Sequence, residues 1–91
     1  MAIEVTEEQV REVLSRDKAY SRDDIICRVI SKYHGRTDLS AETLQMATEM
    51  TLTVLDAVWS LINKGIANFT PRREVILVTE ENEHGQDSVQ A

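Results

Sequence analysis

The stretch from Ser40 to Lys64 constrains the fold most, because it contains neither proline nor glycine and keeps helical spacing of its apolar residues. These residues recur three or four positions apart: Leu44, Ala47, Thr51, Val54, Leu55, Val58, Leu61 and Ile62. One long helix over 40–64 would satisfy this pattern. The run Met50–Val54 is rich in β-branched residues, which weaken helix propensity. We therefore favour a break near Glu49 to Thr51 that divides a short helix from a longer one.

Two further helices are predicted ahead of this stretch. Residues 6–9, Thr-Glu-Glu-Gln, fit a capping box, so a first helix should cover 7–16. Residues 21–24 repeat the start signal, and the apolar residues that follow keep helical spacing, which predicts a second helix over 22–34. Gly35 suits the left-handed residue that ends such a helix.

After Gly65 the hydrophobic period changes from that of a helix to that of a strand. Residues 66–70 and 74–79 are rich in β-branched and aromatic side chains and predict two strands. Pro71 fits the second position of a tight turn, which leaves Arg72 and Arg73 at the tip. The sequence thus predicts a C-terminal β-hairpin with a basic tip.

The domain organisation follows from where the charges lie. The chain has 91 residues and a formal net charge of −6, but four of the carboxylates fall in residues 80–91, which contain no Lys or Arg. Residues 80–91 also hold one sizeable apolar side chain, so we predict a disordered acidic tail. Residues 1–79 should form one domain of the mainly α (α+β) class, with three to four helices and the hairpin. Their net charge of −2 does not exclude DNA.

Several classes of protein and site are disfavoured by the composition. Cys27 is the only cysteine, and with His34 and His84 it forms no spacing typical of a metal site. No apolar run approaches the length that spans a bilayer, and the N-terminus lacks a leader pattern. We expect a cytoplasmic protein that is not an enzyme, with no cofactor, no metal and no small-molecule substrate. The pairs Glu7-Glu8 and Asp23-Asp24 are explained by helix N-termini.

Residues 21–79 resemble the winged helix-turn-helix superfamily. In that superfamily a helix opening with Leu-Ser-Ala-Glu, here residues 39–42, precedes a recognition helix that leads directly into the wing. The ending at 61–66, Leu-Ile-Asn-Lys-Gly-Ile, matches that pattern, whereas 48–50 lack the glycine that is common at the turn of the motif. The resemblance implies a fold, and fold does not decide function.

The first functional hypothesis is a small transcriptional regulator that binds duplex DNA as a homodimer. Arg72 and Arg73 would contact phosphates or the minor groove, as the resemblance to a wing suggests. If the second helix extended through Arg36, the four-residue spacing would place Arg28, Lys32 and Arg36 in one basic stripe that could contact successive phosphates. The alternative interpretation of the same residues is an ordinary solvated helix face. Thr53, Asn63 and Lys64 would face the major groove.

The rival hypothesis is a protein-interaction module, an adaptor or an inhibitor, that does not bind DNA. Trp59, Met46 and Met50 could form an adaptable apolar patch, since tryptophan and methionine are enriched at protein interfaces. Large side chains are scarce in this chain, so the same three residues are also candidates for the core. The absence of a basic recognition helix favours this second hypothesis.

Overall fold

The computed structural model describes residues 3–78, which form three helices and a two-stranded antiparallel sheet. The elements are α1 (Glu7–Val13), α2 (Arg22–His34), α3 (Ala41–Asn63), β1 (Ala67–Phe69) and β2 (Val75–Leu77). The mainly helical class and the C-terminal hairpin are confirmed, and the arrangement is compatible with a winged helix. The acidic tail predicted over 80–91 lies outside the described residues.

Each helix begins at the hydroxyl residue that the sequence indicates. The Thr6 hydroxyl accepts from the backbone N–H of Gln9, whose side chain accepts from the Thr6 N–H, completing the capping box. Ser21 and Ser40 accept from backbone N–H groups three residues later. Gly35 ends α2 with a left-handed φ of 67°, as predicted.

Helix α1 is shorter than predicted, because it ends at Val13 and not at residue 16. Leu14 adopts an extended conformation and is buried. The Arg28 guanidinium on α2 donates to the Val13 carbonyl oxygen at 2.9 Å, which satisfies a carbonyl that the helix end leaves open. The C-terminal end of α1 is therefore held by a contact with a residue of α2.

The predicted break near Glu49 to Thr51 is wrong, because α3 is one continuous helix of 23 residues. Met50 and Val54 are fully buried against the other elements, so tertiary packing outweighs the weak helix propensity of this run. The Thr51 hydroxyl donates to the carbonyl oxygen of Ala47, four residues earlier, without interrupting the helix. The turn between the last two helices instead lies at 35–40.

The core forms on one face of α3, against which α1, α2 and β1 all pack. The hairpin joins this core through Ala67 and Val75, which are both buried. Val75 pairs with Phe69 on β1, and it also forms a bridge with Tyr20, which precedes α2. The strands are each shorter than predicted, and the sheet edge is extended by this single bridging residue.

The hairpin turn has the predicted form. The Arg73 N–H donates to the Thr70 carbonyl oxygen at 2.8 Å, so Pro71 occupies the second position, where its fixed φ fits. Arg73 itself has a φ of 65°, a conformation that glycine adopts more easily.

The two faces of α3 should differ sharply in their contribution to stability. We expect Met50→Ala to lower the free energy of unfolding by about 2–5 kcal/mol, because it leaves a cavity in the core. Leu52→Ala, on the outward face of the same helix, should change it by less than about 0.5 kcal/mol. Urea denaturation followed by circular dichroism measures both. Equal losses for the two variants would contradict this division of the helix.

Candidate functional site

A row of uncharged side chains follows the outward face of α3 for almost its whole length. We call this row the α3 seam; it consists of Ala41, Leu44, Thr48, Leu52, Leu55, Trp59 and Ile62. Successive members are three or four residues apart, which places them on one side of a helix. Leu52 is 72 % exposed, Leu44 54 % and Trp59 51 %, so these three side chains form an apolar surface. Leu55 is half-buried, and Ile62 packs partly against the core.

Trp59 is held in place at the C-terminal end of the seam. Its ring packs edge-to-face on Phe69 of β1, with ring centroids 5.3 Å apart and an interplanar angle of 69°. Phe69 is itself 38 % exposed. A large aromatic ring that is oriented by a neighbour and still half open to solvent has the properties of an interface anchor.

The N-terminal end of the seam opens into a groove between α2 and α3. The groove has a volume of about 470 Å³ and is mostly apolar, with Ile30 from α2 and Leu44 and Ala47 from α3 among its lining. Leu39, which is 82 % exposed, lines its edge. The apolar surface is therefore wider at this end than one row of side chains.

Carboxylates run beside the seam at intervals of seven residues. This acid row consists of Glu42, Glu49 and Asp56, while no Lys or Arg occurs anywhere in α3. Glu42 pairs with Arg36 at 3.0 Å, and Glu49 accepts a hydrogen bond from the Gln45 amide. Within residues 3–78, Glu49 and Asp56 make no ion pair. The exposed side of α3 is thus apolar and acidic.

Two of the three residues expected to face the major groove are engaged inside the molecule. The Thr53 hydroxyl is partly buried and donates to the backbone carbonyl oxygen of Ile3 at 2.7 Å. The Lys64 ammonium donates to Glu7 at 2.8 Å. Asn63 is exposed at the end of α3. Thr53 and Lys64 are therefore bound to other groups of the domain.

The basic stripe on α2 does not form, because α2 ends at His34 and Arg36 lies beyond it. Arg28 is occupied by the Val13 carbonyl, and its guanidinium lies over the Tyr20 ring, 4.4 Å from the centroid. Lys32 is exposed beside the Tyr33 ring. The three cations make different local contacts, but all three line the groove between α2 and α3.

The arginines at the hairpin tip are arranged as the sequence predicts. Arg72 and Arg73 are both exposed, and neither makes an ion pair with another residue in the part of the chain described. They follow Phe69 closely in the chain, so the tip adjoins the Trp59 end of the seam.

The predicted partner patch of Trp59, Met46 and Met50 is not a single surface. Met50 is 0 % exposed and belongs to the core, which corrects its assignment to an interface; Met46 is half-buried against the same core. Only Trp59 is exposed. The sequence reasoning missed Leu44 and Leu52, although a signal existed: α3 carries a second apolar row on the side opposite its core positions.

Glu7 joins the start of α1 to the end of α3. Its carboxylate accepts from the Lys64 ammonium and from the Ser60 hydroxyl. These hydrogen bonds, that of Lys64 first, hold the pKa of Glu7 below its usual value, against a smaller opposing effect of desolvation. Lys64 is consequently bound in an internal contact.

Comparison with known proteins finds no family model, no curated protein and no solved structure that this chain matches. Within residues 3–78, no group of three or more potential ligand residues is placed to bind a metal ion, and no helix has the length and apolarity needed to cross a membrane. Any functional conclusion therefore depends on the surface of the domain itself.

The Glu7 contact predicts a pH-dependent stability. A carboxyl whose pKa is lowered on folding stabilises the fold above its unfolded value of 4.5, and this contribution is lost as the pH falls through the lower folded value. Glu7→Gln should therefore lower the melting temperature at pH 7, by the equivalent of up to about 1 kcal/mol for such an exposed pair. The difference from wild type should shrink as the pH falls below 4.5 and through the lower pKa of the folded state.

The matched control is Glu8→Gln, in the same first turn of α1 but without an ion-pair partner in the described residues. Thermal melts of both variants across this pH range measure the effect. If Glu8→Gln lowers the melting temperature at pH 7 as much as Glu7→Gln does, the effect comes from the helix dipole. That result would contradict the specific role of Lys64.

Proposed function

We propose that this protein is a winged-helix interaction module that binds a partner protein through the α3 seam, and that it acts by binding and not by catalysis. The observation that carries the proposal is the exposure of Leu52 and Trp59 on a helix without a single cation. Exposed apolar surface of this extent, rimmed by polar residues, is typical of a protein interaction site.

The order of elements supports the winged-helix part of the proposal. After α1, Tyr20 supplies the bridge to Val75, then α2 and α3 follow, and β1 and β2 form the hairpin. In this assignment the helix-turn-helix unit is α2 and α3 with the turn at 35–40, and α3 takes the position of the recognition helix. The sequence pattern alone predicts this turn at 48–50.

The chemistry of α3 argues against base reading by that helix. Specific contacts to bases come mostly from Arg, Lys, Asn and Gln, and duplex DNA repels carboxylates. The outward face of α3 instead presents the α3 seam and the acid row. Aromatic and aliphatic residues at the centre of a surface, with charged residues at the edge, describe a protein interface.

A double variant of the seam tests the proposal. Leu52→Gln/Trp59→Gln removes the most exposed member and the aromatic ring of the seam without adding charge, and glutamine keeps good helix propensity. We expect the double variant to capture at least tenfold less partner protein than the wild type. Affinity capture from cells that produce the protein, followed by quantitative mass spectrometry, measures the captured amounts. The matched control Arg72→Ala/Arg73→Ala should retain them.

Circular dichroism spectra and melting curves must show that both double variants remain folded. Partners captured equally by the wild type and by Leu52→Gln/Trp59→Gln would exclude the α3 seam as the binding surface.

Duplex DNA binding by the hairpin tip is the second candidate function. It is favoured by one observation: Arg72 and Arg73 are exposed and without ion-pair partners within residues 3–78. In addition, Arg73 occupies a left-handed conformation that glycine would adopt at lower cost. Such a tip could contact phosphates or enter the minor groove.

Fluorescence anisotropy with random-sequence duplex DNA tests this candidate. Two phosphate contacts should weaken binding roughly tenfold between 50 and 200 mM salt, and Arg72→Ala/Arg73→Ala should abolish this salt dependence along with most of the affinity. An absence of binding by the wild type at low salt would exclude DNA binding through the tip.

A further inference from the structure

The charges beside the α3 seam identify the kind of partner that fits it. We propose that the seam binds an amphipathic helix whose apolar stripe is flanked by Lys or Arg. This inference rests on the proposed function and adds the chemistry of the partner, which the exposure of the seam alone does not determine.

The first step is the spacing of the seam, which suits a helix as its occupant. Ala41, Thr48, Leu55 and Ile62 are separated by seven residues each, and Leu52 and Trp59 form a second column with the same period. Apolar columns that alternate at three and four residues are the pattern that packs against a second helix. Helix α3 is about 34 Å long, so about three heptads of a partner helix can lie along it.

The second step is the difference between the two sides of the seam. On one side lies the acid row, whose Glu49 and Asp56 are uncompensated within residues 3–78. Glu4 lines the same shallow depression as Asp56 and adds an exposed carboxylate beside the acid row. On the other side lies the half-buried Thr51, and beyond Leu44 the groove between α2 and α3 is lined by three cations: Arg28, Lys32 and Arg36. A partner helix therefore meets negative charge along one edge.

The third step excludes a second copy of this chain as the better occupant. An antiparallel pair of α3 helices would set the acid row against itself, and like charges facing each other are unfavourable. A parallel pair would set the acid row against Leu44 and Thr51, neither of which is basic. A helix with Lys or Arg at the flanking positions satisfies the acid row in either orientation.

Three synthetic 21-residue peptides test the inference. The first has leucine at the seam-facing heptad positions and lysine at the flanking positions, the second replaces the lysines by glutamate, and the third is a scrambled form of the first. Trp59 is the only tryptophan of the chain, so its fluorescence reports occupation of the seam directly. Full-length protein is titrated with each peptide, and calorimetry measures the same affinities independently.

We expect the lysine peptide to bind at least tenfold more tightly than the glutamate peptide, and the scrambled peptide to leave Trp59 emission unchanged. Glu49→Gln/Asp56→Asn should weaken binding of the lysine peptide three- to tenfold and reduce its salt dependence. The matched control Asp17→Asn/Asp23→Asn removes the same charge from exposed positions outside α3 and should retain the wild-type affinity.

Several results would overturn the inference. Equal binding of the lysine and glutamate peptides would remove the role of charge, and equal binding of the scrambled peptide would reduce the effect to non-specific attraction. Absence of binding by every peptide would reject the seam as a surface that binds an amphipathic helix. Dimerisation at micromolar concentration in sedimentation equilibrium, lost in Leu52→Gln/Trp59→Gln, would make a second copy the occupant.

The peptide titrations test the basic helix as the partner, and the partner capture tests the proposed function, so either proposal can be rejected without the other. Capture that depends on Leu52 and Trp59, together with no preference for the lysine peptide, leaves the proposed function standing and rejects the basic helix. Capture that is unchanged in the seam variant rejects the proposed function itself.

Discussion

The packing of the inner face of α3 is the interaction on which the rest of the structure depends. Met50, Val54 and Leu61 are almost completely buried, and α1, α2 and β1 each pack against this one helix. Neither α1 nor the hairpin could form a stable structure alone, because a helix of 7 residues and a two-stranded sheet bury too little apolar surface. A continuous α3 supplies the surface that both require.

The continuity of α3 also leaves apolar side chains of its outward face exposed to water. A helix that is apolar on opposite sides is normally buried all round, but within residues 3–78 the elements α1, α2 and the hairpin cover only the inner face and one end of α3. Phe69 packs edge-to-face on Trp59, while Leu52 is 72 % exposed. Keeping the apolar seam in water is unfavourable, and binding a partner removes that cost. The exposed apolar side chains of the proposed interaction surface are therefore a direct consequence of building a small domain around one long helix.

Local signals account for what the sequence predicts well. The hydroxyl caps at Thr6, Ser21 and Ser40, the left-handed Gly35, and the turn at Pro71 each depend on neighbouring residues alone. The end of α1 and the continuity of α3 depend on contacts between distant parts of the chain, so they could not be predicted.

The candidate site was less predictable than the fold for the same reason. Helical spacing identifies Met50 and Trp59 equally as apolar positions of α3, but it does not show which side meets α1 and α2. Only the packed structure separates a buried methionine from an exposed tryptophan. The hydrogen bond from Thr53 to Ile3 joins residues 50 positions apart, and no local pattern of the sequence indicates it.

The distribution of charge after folding bears on the proposed partner more directly than the count of charged residues in the sequence. Arg36 and Lys64 each pair with a carboxylate of the domain, while Arg28 donates to a backbone carbonyl. Glu49 and Asp56 have no ion-pair partners within residues 3–78, and they stand beside the exposed Leu52 and Trp59. Because a screened surface charge acts over about 8–10 Å, a ligand at the seam meets these carboxylates first. The proposal of a basic partner therefore rests on the local field at α3 and not on the composition of the chain.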